Sequence, residues 1–139
     1  MSTQKKEVML VMGAGQISMA IARRVGFGMK IILGDRNKEN ADAIAKIMND
    51  AGFDVVPLEA DLSSRESIRE MIAVGQKYGA ITKMVNGAGV SPSQAPVEAN
   101  LKVDLYGTAV LLEDVGKVIA EGGSGVTASY YYGPLKPEE

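Results

Sequence analysis

The sequence predicts an α/β fold: a doubly wound parallel sheet of five strands in the order 3-2-1-4-5, with helices on both faces in a three-layer αβα arrangement. Three observations lead there. Short apolar runs alternate with amphipathic stretches along the chain, with no linker, repeat or low-complexity tract between them; such alternation joins parallel strands through right-handed crossovers. The first apolar run, Val8–Met12, passes directly into Gly13-Ala14-Gly15-Gln16-Ile17-Ser18 and on into Met19-Ala20-Ile21-Ala22, which reads as strand, glycine turn and helix. The second run, Met29–Asp35, ends on a carboxylate.

The remaining elements follow in order. Gly26 and Gly28 break the first helix before the second strand. Asn37 caps a helix in which Ala41, Ile44, Ala45, Met48 and Ala51 recur at three- and four-residue steps, and Gly52 stops it in a left-handed conformation. Phe53–Leu58 is a short third strand that runs into Asp61-Leu62. Ser63 and Glu66 form a capping box for a helix whose apolar face is Ile68, Met71 and Ile72, closed at Gly79. Ile81–Val85 makes the fourth strand and enters Asn86-Gly87-Ala88-Gly89. Beyond Pro92 and Pro96 a long helix is expected through Leu101, Leu105, Thr108, Ala109, Leu112 and Ile119, stopped by Gly122-Gly123. Val126–Ala128 begins a fifth strand, so 1–129 reads as one domain and 130–139 as a tail.

Composition narrows the chemistry. A chain of 139 residues with 46% hydrophobic and 23% charged side chains builds one ordinary globular core. A net charge of −2 without a basic block argues against a nucleic-acid partner. No apolar run approaches a membrane span and Met1–Glu7 is no signal peptide, so the default expectation is cytoplasmic. With no Cys and no His, thiolate nucleophiles, imidazole bases and the usual zinc sites are excluded, and no metal is expected. Chemistry then falls to carboxylates, Lys, Tyr, Ser or Thr, or to a cofactor. The scattered methionines read as core filler.

The glycine turn points to a cofactor. Gly13 permits a tight turn off the strand, and Gly15 lets a bulky anion approach the first amides of the helix, Gln16 and Ile17, where the helix dipole favours negative charge. Asp35 lies 22 positions after Gly13, near the roughly 20 expected of a carboxylate that accepts adenosine ribose hydroxyls. This is a Rossmann-like dinucleotide fingerprint with Ser18 in place of its third glycine. A ligand-free glycine turn is the plain alternative. The strand order places the switch point between strands 1 and 4, so the Gly13 and Asn86–Gly89 loops flank one crevice.

These residues resemble the short-chain dehydrogenase/reductase family from about Lys6 to Ser129. Val85-Asn86-Gly87-Ala88-Gly89 is similar to the family's N-N-A-G segment, which supports the sheet beside the cofactor, with Gly87 for the second Asn. Asp61-Leu62 resembles the pair that meets the adenine; a turn and cap role for Asp61 is the alternative, as a strand-end amide is for Asn86. The glycine turn is one residue shorter than the family's T-G-x-x-x-G-x-G. Asp35 resembles the residue that favours NAD by repelling a 2′-phosphate, whereas Arg36 beside it is able to hold one, so NADP stays open.

The resemblance also implies a catalytic Ser after strand 5, a Tyr and Lys four residues apart on the next helix, and a helical Asn. Asp104 stands where that Asn is expected, and Ser129 or Tyr130 falls at the Ser position. Tyr132 and Lys136 have the YxxxK spacing, but Gly133 and Pro134 between them, with Pro137 after, oppose a helix and disfavour the pair. The expectation is the NAD(P)-binding part of an oxidoreductase with an incomplete catalytic centre. A ligand-free scaffold or self-association module is the competing reading, and an S-adenosylmethionine-dependent transferase fits less well. Strand 5 at an open edge, with Leu105, Leu112 and Tyr130–Tyr132 under-buried, predicts a homo-oligomer.

Overall fold

A computed structural model describes residues 6–88, 98 and 101–128. Five parallel strands, β1 (Val8–Met12), β2 (Lys30–Asp35), β3 (Asp54–Glu59), β4 (Ile81–Asn86) and β5 (Ser124–Thr127), lie in the order β3-β2-β1-β4-β5, as predicted. Helices α1 (Gln16–Val25), α2 (Lys38–Asp50), α3 (Arg65–Tyr78) and α4 (Thr108–Gly116) connect them, α4 being entered through a π-helical turn at Leu101–Gly107.

Alternation along β1 divides the core, because successive side chains leave a strand on opposite faces. Val8, Leu10 and Met12 join Ile32, Ile68, Met71, Leu111 and Val115 under α3 and α4. Met9 and Val11 join Ala22, Ile31, Leu33, Ala45 and Met48 under α1 and α2. Every residue of β1 is therefore buried, as expected of a central parallel strand covered on both faces. Met9, Met12, Met29, Met48, Met71 and Met84 all sit in the core. Pro57 is accommodated because β3 is an edge strand among the described residues. At the opposite end of the sheet from the glycine turn, Lys6 and Lys30 each reach Asp54 at 3.0 Å. Burial pushes the Asp54 carboxyl up, but these two lysines outweigh it and hold it below the usual carboxylate value.

Three local expectations change. Asn37 caps α2 as predicted, accepting from the Asn40 amide, but α3 is capped by Ser64, whose hydroxyl accepts from Ser67 N, and not by Ser63 with Glu66. Ser63 is diverted because its amide and hydroxyl both donate to Asp61. The last helix ends at Gly116, short of Ile119. Its buried face is Val110, Leu111, Asp114 and Val115, while Leu101, Leu105 and Leu112 are exposed. Asp114 turns inward to meet Arg65 at 3.2 Å and Arg69 at 3.5 Å from α3, so an ion cluster joins the two helices. β5 begins at Ser124, two residues earlier than read.

Candidate functional site

The carboxyl ends of β1, β2 and β4 converge on one crevice. Gly13 turns the chain off β1 with φ +92, a conformation that a Cβ-bearing residue adopts only under strain. A Cβ there would also stand 2.7 Å from Ala88 N. Backbone bonds fix the turn on both sides: Gly13 N donates to Gly34 O of β2 at 2.7 Å, and Gly87 N after β4 donates to Met12 O of β1 at 2.8 Å.

Gly15 caps α1 in an extended conformation, with no side chain supplying the cap hydrogen bond. The first turn of a helix leaves its amides without intrahelical partners, and the first such bond here is Met19 N to Gly15 O. Among the described residues nothing lies within 4 Å of the place where a Gly15 Cβ would project. Gln16 and Ile17 are exposed beside it. No described residue closes the helix mouth, which carries fixed partial positive charge.

Asp35 stands beside that mouth. Its carboxylate accepts from Ala14 N and from Asn37 N, each at 2.8 Å, one through each oxygen. Asn40 Nδ2 donates to the same oxygen as Ala14 N, at 3.4 Å. The three bonds clamp the carboxylate between the glycine turn and the start of α2 and leave an unused lone pair on Oδ1. Asp61 is tied by Ser63: the hydroxyl donates at 2.7 Å and the amide at 2.9 Å. The Ser63 hydroxyl bond is the chief reason why the Asp61 carboxyl lies below its usual value; burial opposes, and the charges of Arg36 and Lys102 assist. The turn role read for Asp61 is thus realised, while the residue still lines the crevice.

The lining comprises Gly13, Asp35, Arg36, Asp61, Leu62, Gly87 and Ala88, together with Met12, Ala60 and Val103. The first seven were singled out by sequence. Val103 and Lys102 were read only as neighbours of Asp104, and nothing local marks them as facing Asp61 across the sheet edge. The volume is about 190 Å³, below the roughly 300–1,000 Å³ of a complete small-molecule pocket, so it suits one part of a larger ligand that continues across the open mouth.

Asn86 is wholly buried and lies beneath the lining. Its Oδ1 accepts from Ala88 N at 3.2 Å, its Nδ2 donates to Thr108 Oγ1 at 3.3 Å, and its backbone oxygen accepts from Ala128 N. It braces the β4 loop against α4 and β5, so any effect on a ligand is indirect. Gly89, Ser129, Tyr132 and Lys136 lie outside the described residues. Among the described residues no group of acidic side chains could hold a metal ion, and no helix is long and apolar enough to cross a membrane.

Comparison with known proteins agrees with this geometry. The family model for short chain dehydrogenase matches residues 7–126. The chain is 34% identical over 124 residues to the short-chain dehydrogenase/reductase bsc3 of Alternaria brassicicola, covering 89% of this chain and 45% of that protein. It is 32% identical over 88 residues to a 7alpha-hydroxysteroid dehydrogenase of Bacteroides fragilis, covering 62% and 34% respectively. Among solved structures, a putative short-chain dehydrogenase/reductase from Burkholderia xenovorans superposes with a TM-score of 0.72 at 25% identity, covering 87% of this chain and 55% of that one. A short chain dehydrogenase/reductase from Burkholderia phymatum, solved in complex with NAD, shares the fold with a TM-score of 0.73 at 19% identity, covering 86% and 46%. The chain spans less than half the length of the two curated relatives. With the sheet order, the crevice and this match in agreement, the chain belongs to the short-chain dehydrogenase family.

Proposed function

We propose that this chain is the NAD-binding part of a short-chain oxidoreductase, with residues 1–139 carrying an incomplete catalytic centre. One observation carries the reading: a helix mouth at Gly15 that no described residue plugs lies beside a crevice that Asp35 lines. The residues fit a nicotinamide adenine dinucleotide. The Gln16 and Ile17 amides would face its diphosphate, Asp35 would accept the adenosine ribose hydroxyls, and Arg36, Asp61 and Leu62 would border the adenine. Bound there, the nicotinamide would supply hydride transfer. The Asp35 carboxylate would disfavour a 2′-phosphate by like-charge repulsion. Asp104 in place of the helical Asn, and Gly133 and Pro134 between Tyr132 and Lys136, support an incomplete proton-transfer centre.

Calorimetric titration with ADP-ribose tests this. Saturable binding is expected, at least ten-fold tighter than for the 2′-phosphorylated analogue, and Asp35→Ala should abolish most of it. No heat at millimolar ligand would reject the function, and tighter binding of the 2′-phosphate would reassign the cofactor to NADP through Arg36.

We also infer self-association, supported by Leu101, Leu105, Tyr106 and Leu112, which stand 48–66% exposed, and by β5 at the sheet edge of the described residues. Light scattering at micromolar concentration should report a dimer or larger; a monodisperse monomer would refute it.

A further inference from the structure

We propose that Ser18 and Gly87 form a complementary pair that sets the spacing between the α1 mouth and the β4 loop, making Ser18 a positioning residue for the nucleotide site; the proposal rests on the function inferred above. Gly87 is not required by its own backbone, since its φ lies outside the left-handed region where Gly13, Gly28, Gly52 and Gly122 sit. What excludes a side chain there is Ser18. A Cβ built on Gly87 collides with Ser18 Oγ and comes within 3.2 Å of Ser18 Cβ.

Ser18 itself occupies the helix position where the dinucleotide fingerprint places its third glycine, the residue that lets helix and strand approach. It is 1% exposed, and its hydroxyl has no hydrogen-bond partner among the described residues. Polar contacts therefore do not account for a serine here; volume does. The hydroxymethyl group fills the space left by the missing Gly87 side chain, between the first turn of α1 and the loop whose Gly87 and Ala88 line the crevice. Elsewhere these loops meet through backbone atoms that cannot give way, Gly87 N on Met12 O and Gly13 against Ala88. A change in bulk at position 18 or 87 must then move the helix mouth relative to Asp35 and the β4 loop.

A double-mutant cycle read by ADP-ribose affinity and by melting temperature tests the pair. Gly87→Ala should weaken ADP-ribose binding at least ten-fold when Ser18 is present. Ser18→Gly alone should weaken it about three-fold, by leaving the gap unfilled. The double variant Ser18→Gly/Gly87→Ala, which returns a methyl group from the other side, should bind within two-fold of the parent. An equal Gly87→Ala penalty with Ser18 and with Gly at position 18 would overturn the pairing while leaving the function intact. Should Gly87→Ala fail to fold, Ser18→Gly against the double variant decides, and failure of the double variant to regain affinity refutes the proposal. Coupling seen in melting temperature but not in affinity would also refute the positioning role. Absence of binding by the parent chain would instead reject the function itself, and this role with it.

Discussion

Gly15→Ala is expected to leave the fold intact while weakening ADP-ribose and NAD binding at least ten-fold. The backbone at Gly15, with φ −88 and ψ 178, is one that alanine adopts freely, and its Cβ would meet nothing within 4 Å. Lost freedom in the unfolded chain favours the variant by about 0.4–1 kcal/mol. Alanine is a poorer N-cap than glycine, which offsets part of that. Urea denaturation should therefore place the variant within about 1 kcal/mol of the parent. Binding responds differently, because the new methyl group projects into the room beside the Gln16 and Ile17 amides that a diphosphate docking on them would occupy. Unchanged affinity would mean that no anion docks at that mouth. The substitution thus separates a ligand site from a packing motif, which Gly13→Ala would not, since that change strains the backbone as well.

Asn86→Ala should cost the fold about 1–3 kcal/mol while substituting no residue of the crevice lining itself. It removes the acceptor of Ala88 N and the donor to Thr108 Oγ1 from a fully buried position. A buried polar group left unpaired costs about 1–3 kcal/mol, and each costs less here because Ala88 and Thr108 are half-buried. For a chain of this size, melting should fall on the order of 10 °C. Asn86→Asp keeps the oxygen that Ala88 N uses but puts a carboxylate against Thr108 in a dry site, so it should be destabilised as well. A loss under about 0.5 kcal/mol for Asn86→Ala would show that the β4 loop holds its shape without this brace.

How far the chain was legible follows the range of the interactions. Asn37 was readable as a cap because its partner Asn40 lies three residues away. The choice between Ser63 and Ser64 was not, since both hydroxyls suit a cap and the competitor, Asp61, is a turn residue whose own conformation depends on β3. The extent of the last helix was misread for a stronger reason. A continuous helix from Leu101 to Ile119 fits the apolar spacing, but a π-helical turn occupies Leu101–Gly107 and α4 ends at Gly116, while Leu105 and Leu112 are exposed as the open sheet edge predicted. Gly107 in that turn leaves no room for a side chain against Leu62, since a Cβ there would collide with the Leu62 backbone oxygen, and the pairing of Asp114 with Arg65 joins residues 49 positions apart.

Strand, turn and helix at Val8–Val25, the carboxylate at Asp35 and the order of the sheet were written in the sequence alone, because periodicity, glycine placement and crossover handedness are properties of short stretches and of chain connectivity. Tertiary structure alone decided that Ser18 stands against Gly87, that Val103 lines the crevice with Asp61, that Asn86 supports the lining from below, and that Asp114 pairs with Arg65 and Arg69 of α3. Each of those depends on which surfaces meet when separately formed elements pack, and packing at fixed volume selects among side chains that local pattern leaves equivalent.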